Sequence, residues 1–314
     1  MAAPALVSGL WFPGNERTTS TSISQAANLL GNGLAMLMGP AIVSQPAEDE
    51  VIIEASVDKI RREIDTYMFV NAGIASFVFL SFCVYFPSKP PEAPSHSSSI
   101  ERTDFMRGMK SLLQMKDILL ISFAYSLSQG IMGVWAGVMV LNFRDLNVSD
   151  EEVGYIGLAS TLGQCVVGVT VSRLTDFFRH HMKKTLILLL LASGSMYLLL
   201  ALMNFKVMPY SFAGLCAMTV SATSLSFACC PLFFELAVEI SYPMPESVVG
   251  CFLSAAFNLV GSVFLLLFFI PNIGTLWMNY VLIGSVVLGV PAVLMVDEKY
   301  NRSLVDQQAS TKHP

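Results

Sequence analysis

Charge is what this sequence has least of. Only 13% of its 314 residues are Asp, Glu, Lys or Arg, while 54% are hydrophobic; an average soluble domain carries roughly 25% charged residues. The 18 basic and 23 acidic side chains are also confined to short connections, leaving long stretches with none. A soluble helical protein places charge along every exposed face, so a water-soluble bundle is excluded. Cysteine usage excludes two further classes. The six cysteines (Cys83, Cys165, Cys216, Cys229, Cys230 and Cys251) all fall in apolar segments. No C-x-x-C spacing or nearby His accompanies them, so neither a disulfide framework nor a zinc site is expected. The absence of Asp, Glu, Lys, Arg and His from the apolar spans leaves no acid–base or metal-ligand cluster for catalysis within the membrane. No enzymatic activity, cofactor or nucleic-acid partner is expected; the expected partners are the lipid bilayer, a small solute and protons.

What the chain does have is apolar length. A helix crossing a bilayer core needs about 20 apolar residues, and a charge at its centre costs several kcal/mol. Eight segments qualify, at 19–43, 66–86, 118–142, 153–172, 185–204, 209–232, 247–270 and 275–296. The last two come from one uncharged run broken at Pro271-Asn272. An all-α, multi-pass membrane protein of about eight transmembrane helices follows. Basic residues favour the cytosolic side. A cytosolic N-terminus leaves only Lys59, Arg61, Arg62, Arg144 and Lys206 on the far side, five of 18. Asn147, in Asn147-Val-Ser149, then becomes a lumenal or extracellular glycosylation candidate. Residues 48–65 carry Ile53, Val57, Ile60 and Ile64 at helical spacing, which predicts a short amphipathic surface helix. The Pro/Ser-rich stretch 87–104 reads as a flexible linker dividing two spans from six.

Three stretches carry a family resemblance. SRLTDFFRHHMKK at 172–184 resembles the G-x-x-x-D-R-x-G-R-R loop of the major facilitator superfamily, with Ser172 where Gly is usual, Asp176 retained, and Arg179, His180 and His181 following. GLWFPGNERTTSTSI at 9–23 resembles the WF-x-x-x-ER segment leading into the fifth helix of those carriers. FFELAVEISYPMPESVVG at 233–250 resembles the hallmark of the feline leukaemia virus subgroup C receptor-related family (solute carrier family 49), with Ser247 in place of Gly. Residues 165–191 look most like the branch called disrupted in renal carcinoma 2. The resemblance implies a twelve-helix bundle of two six-helix halves, of which this chain matches the fifth to twelfth helices. Met1 then falls near the end of the fourth, so the chain is expected to be N-terminally truncated. The implied domains are 1–86, a remnant of the first half; 87–116, an inter-half linker; 117–300, the whole second half; and 301–314, a cytosolic tail.

Several polar residues become site candidates. Gln25, Asn28 and Asn32 share one face of the first span, and lipid cannot satisfy amides; the face serves either helix–helix bonding or solute. Tyr125 and Gln129 share a face of the third span, and Trp135 projects about 80° away at about 100° per residue. In the resembling family this helix lines the central cavity, which makes Tyr125 and Trp135 substrate-binding candidates; Gln129, on the face of Tyr125, and Asn28 and Asn32, on the polar face of the first span, join them. Glu235 and Glu239 lie one turn apart at the cytosolic mouth of the sixth span, with Glu246 beyond Pro243 and Pro245. These carboxylates either bind the basic 172–184 loop and gate the exit, or titrate during proton coupling. Asp176, Arg179, Glu235 and Glu239 are the gating and coupling candidates.

The resemblance implies a carrier of a small organic solute working by alternating access. Its close branch points to proton-linked export (symport) of a pyridoxine-like, vitamin B6-type solute across the lysosomal membrane; the wider family offers haem or choline as cargo and the plasma membrane as location. The competing expectation is a shortened, non-transporting form that acts as a regulatory or inert membrane protein.

Overall fold

The structure, a computed structural model, describes residues 2–13, 15–43, 54–87, 90–91, 105–146, 148–177 and 181–312. It is helical, with no strand among the described residues. In chain order the helices are α1 (Ala2–Trp11), α2 (Arg17–Ile42), α3 (Glu54–Val84), α4 (Phe105–Leu112), α5 (Lys116–Phe143), α6 (Asp150–Phe177), α7 (Met182–Asn204), α8 (Phe212–Ser241), α9 (Glu246–Leu266), α10 (Trp277–Leu294) and α11 (Asn301–Lys312).

Among the described residues seven helices are long and apolar enough to cross a membrane, and they coincide with seven of the eight expected spans. The remaining one, 19–43, is helical as α2 but falls outside the seven. Its first half is built of hydroxyl and amide side chains. Thr18, Ser20, Thr21, Ser22 and Gln25 are all buried, so protein rather than lipid surrounds them. The break expected at Pro271-Asn272 is present. α9 ends in a 3-10 turn at Leu267–Phe269, and Asn272 (φ 59°) and Gly274 (φ 71°) take the left-handed backbone before α10 begins.

One expectation needs correction. Residues 54–65 do not form a separate surface helix; they are the first turns of α3, continuous with the span, and 48–53 lie outside the described residues. No Gly or Pro interrupts the stretch, and the i,i+4 pair Lys59–Glu63 at 3.8 Å supports continuation. Most of the stretch read as a tail, residues 301–312, forms the helix α11, whose Arg302 is only 1% exposed.

The chain groups into two compact units, residues 1–27 with 92–314, and residues 28–91. In the first unit α8 is central. It packs between α6 and α7 and is buried without interruption from Phe227 to Ser241. α10 lies against α7 and α5, and α9 lies against α5 and α1. The α5–α9 crossing is close enough to require glycine: a Cβ on Gly130 would stand 2.8 Å from the Phe257 carbonyl oxygen. Small residues at such crossings are how membrane helices gain packing when no hydrophobic force drives them together. The second unit holds α3, which exposes Met68, Phe69, Phe77, Phe79 and Phe82. Such a surface suits hydrocarbon.

Candidate functional site

Midway along α5 the helix widens into a π turn at Ser126–Gly130, directly after Tyr125. Such turns are rare and recur at functional sites. Tyr125 is fully buried. Its ring meets Phe233 and Phe234 edge-on at 5.7 and 5.4 Å and tilts against Phe257 at 6.1 Å. Its hydroxyl lies 3.7 Å from the Cys230 sulfur. Gln129 donates from Nε2 to the Ser226 carbonyl of α8 at 2.8 Å, so that amide is held by protein. Gln25 differs. It is 4% exposed and its amide meets the Cys230 thiol, a weak hydrogen-bond partner.

The structure therefore brings Tyr125 and Gln129 together with Gln25. It places the other candidates elsewhere. Trp135 is buried against Phe143 and Tyr197, both edge-on at 6.1 Å, and its Nε1–H has no acceptor. Asn28 and Asn32, later on α2, are exposed and belong to the second unit.

At the helix ends remote from the π turn, charge is gathered on built partners. Asp176, in the last turn of α6, accepts from the backbone N–H of Thr18 at 3.2 Å and of Thr19 at 2.8 Å. These are among the unpaired donors of the first turn of α2, where a negative charge also meets the positive end of the helix dipole. Arg179, His180 and Asn147 lie outside the described residues.

Glu235 and Glu239 share a face of α8, and among the described residues Arg302 of α11 is their shared partner. The guanidinium bonds Glu235 through Nη2, lies 3.7 Å from Glu239 through Nε, and reaches Glu246 through Nη1 at 3.4 Å. All four side chains are at most 8% exposed. Ser303 adds two bonds to Glu239, from its backbone N–H at 3.1 Å and its hydroxyl at 2.6 Å, capping the start of α11. Arginine suits this place because its planar fork serves several carboxylates at once. The residues just before α11 continue the stitching. Lys183 donates from Nζ to the carbonyls of Leu294 and Val296 at 2.8 and 2.7 Å. Glu298 and Tyr300 accept from the backbone N–H of Lys183 and Met182 at the start of α7. Burial, then the bond to Glu298, pushes the Tyr300 phenol up, so it stays protonated at physiological pH.

Sequence reasoning missed Arg302, Gln25 as a member separate from Asn28 and Asn32, and a buried amide triad. In that triad Asn279 of α10 accepts from Asn204 of α7 at 2.9 Å and Asn142 of α5 at 3.3 Å, and donates back to Asn142 at 3.1 Å.

Comparison with known proteins agrees with the helical fold. Residues 1–263 match the family model of the Major Facilitator Superfamily. The chain is 32% identical over 311 residues to a Xenopus tropicalis protein described as "Solute carrier family 49 member 4 homolog", an alignment covering 98% of this chain and 68% of the frog protein. It is 26% identical to the zebrafish (Danio rerio) "Choline/ethanolamine transporter flvcr2b", across 99% of this chain and 64% of that one. Among solved structures, the fucose:proton symporter of E. coli superimposes with a TM-score of 0.68 at 14% identity, covering 95% of this chain and 73% of the symporter. That likeness is one of fold.

Proposed function

The chain belongs to the Major Facilitator Superfamily and is of the solute carrier family 49 transporter type, and from that premise we propose that it exports a vitamin B6-like, pyridoxine-type solute with proton linkage from the lysosome by alternating access. The observation that carries the cargo reading is the Gln25 amide, buried beside Tyr125 and met by the weakly bonding Cys230 thiol. An aromatic wall and a weakly bonded amide, with no fixed charge beside them, fit a neutral or weakly cationic ring bearing hydroxyl groups. The ring stacks on aromatics while its hydroxyls engage Gln25, and Trp135 offers a donor without an acceptor deeper in α5. Choline, named in the description of the zebrafish relative, is the competing cargo. Its quaternary ammonium would be held by cation–π contact with Tyr125 and would leave the Gln25 amide to the Cys230 thiol. Haem is the third choice, and the plasma membrane the alternative location.

In the same reading Asp176, with Arg179, latches the cytosolic side during the cycle, and Glu235 and Glu239 gate the exit, with proton coupling as their alternative role. Carriers of this kind rock two halves about a shared site near the bilayer midplane. That depth matches the π turn and Gln25 better than it matches the charged helix ends.

Uptake of labelled pyridoxine and labelled choline into vesicles bearing the chain tests the assignment. Gln25→Leu should abolish pyridoxine flux while a choline carrier would retain most of its rate. Equal loss of both, or choline flux alone, overturns the pyridoxine reading. A second reading rests on length: the chain spans 68% of the frog relative. A regulatory or inert membrane protein of this length would show no flux alone and would alter flux when combined with a twelve-helix relative.

A further inference from the structure

A cavity of about 320 Å³ opens where α1, the start of α2 and the last turns of α6 meet. None of the residues placed at the Gln25–Tyr125 site lines it. Its α2 wall follows from spacing: Glu16, Thr19, Ser20, Ile23 and Ser24 stand at i, i+3, i+4, i+7 and i+8, the repeat of one helix face. Val7 of α1 and Phe12 just after it join Ile23 as the apolar lining, and Arg173 of α6 adds a guanidinium. Glu16 and Arg173 thus border one cavity with opposite charge, yet they form no ion pair with each other or with any other described residue. The neighbouring carboxylate of Asp176 is spent on the backbone N–H groups of Thr18 and Thr19. Ser20 is 7% exposed, and what it shows borders the cavity. The apolar lining continues outward, with Val7 40% and Ile23 54% exposed.

We propose that this cavity binds the headgroup of a zwitterionic phospholipid from the surrounding bilayer. The phosphate sits on Arg173, and the primary ammonium sits on Glu16 with the Ser20 and Ser24 hydroxyls. The first acyl carbons lie on Val7, Phe12 and Ile23. Other ligand classes match the lining less well. A simple anion meets like charge at Glu16, a simple cation meets it at Arg173, and a neutral molecule leaves both charges unmatched. A ligand with both signs a few bonds apart satisfies the two at once, and the exposed apolar lining calls for a tail on that ligand. Guanidinium and phosphate pair bidentately, and basic pockets between membrane helices are places where lipid headgroups bind. A primary ammonium donates hydrogen bonds to a carboxylate and to hydroxyls, whereas a quaternary one has none to give. The site therefore favours an ethanolamine over a choline headgroup. Membrane residence is all that this requires of the chain, so the outcome is separate from the pyridoxine reading.

The test titrates the full chain, purified in detergent, with phosphatidylethanolamine, phosphatidylcholine or phosphatidylglycerol of one acyl composition. Native mass spectrometry counts the first lipid adduct. Both charges border solvent and are partly screened, so each is expected to change affinity by about fivefold. Phosphatidylethanolamine should bind tighter than anionic phosphatidylglycerol by about that factor, with phosphatidylcholine between them. Glu16→Gln should erase the preference between the ethanolamine and glycerol lipids. Arg173→Gln should weaken both, and Arg173→Lys, which keeps the charge, should recover most of the binding. Arg173 is exposed, so these replacements leave the fold intact, and unchanged helicity by circular dichroism confirms it for each variant. Glycerophosphoethanolamine, the same headgroup without acyl chains, should fail to displace the bound lipid at equal concentration. Equal affinity of the parent chain for the ethanolamine and glycerol lipids, binding untouched by either charge substitution, or displacement by the soluble headgroup would each overturn the proposal.

Discussion

Replacing Asp176 by Asn removes one negative charge and little volume from the contact between α6 and α2. In the parent, both carboxylate oxygens receive backbone donors, from Thr18 at 3.2 Å and Thr19 at 2.8 Å. The amide keeps one acceptor oxygen and turns an NH2 group toward the other donor. A hydrogen bond to a charged group is worth about 1.5–3 kcal/mol, against about 0.5–1.5 for a neutral one. A charge at a helix start adds roughly 0.3–1 kcal/mol, and up to about 2 where partly buried. Asp176 is 5% exposed, so the upper part of that range applies. The loss comes to about 2 kcal/mol, or a factor of about 30 in the closed-to-open ratio at this contact. Spin labels at the start of α2 and the end of α6 would read it as a longer-distance population growing by that factor in lipid nanodiscs. Asp176→Glu, which keeps the charge, should recover part of the closed population. A change below about threefold in Asp176→Asn would show that the cap does not hold the gate.

The remaining predictions concern the other built contacts. Glu235→Gln and Glu239→Gln flatten the dependence of uptake on external pH if the pair carries the alternative proton-coupling role; an unchanged pH profile removes that role and leaves them as ligands of Arg302. Asn279→Leu breaks three interhelical amide bonds, each worth about 0.6 and at most about 1.7 kcal/mol in a membrane. Detergent-resistant folding should weaken by about 2 kcal/mol or more, and a loss near zero would mean that the triad is satisfied another way. Gly130→Ala should cost about 1–3 kcal/mol of stability through overpacking, because its new methyl meets the Phe257 backbone; a neutral effect would refute the close α5–α9 crossing.

Helix number and order were legible because hydrocarbon imposes one rule on every span. The rule failed where protein replaces lipid: α2 hides Thr18, Ser20, Thr21, Ser22 and Gln25 among other helices, so its composition is that of an interior helix. Glu235 and Glu239 were legible as a pair by their i,i+4 spacing. Their partner was not, since Arg302 lies 67 residues beyond Glu235 and follows the last span, where basic residues also obey the positive-inside bias. The one available signal was Asn301-Arg-Ser303, whose polar side chains suit a helix start. Asn142, Asn204 and Asn279 stand on three different helices with no shared spacing, so only the folded bundle unites them. Tyr125 and Gln129 were found by periodicity, yet the π turn that follows Tyr125 has no sequence signature.

The most direct measurement is counterflow. The purified chain is reconstituted into proteoliposomes preloaded with unlabelled pyridoxine or choline, and entry of the matching labelled solute is followed. A carrier with the Gln25–Tyr125 site gives saturable, preload-accelerated entry of pyridoxine that is lost in Gln25→Leu. Entry no faster than into protein-free vesicles, for both solutes, would contradict the claim that this chain moves a small organic molecule across a membrane.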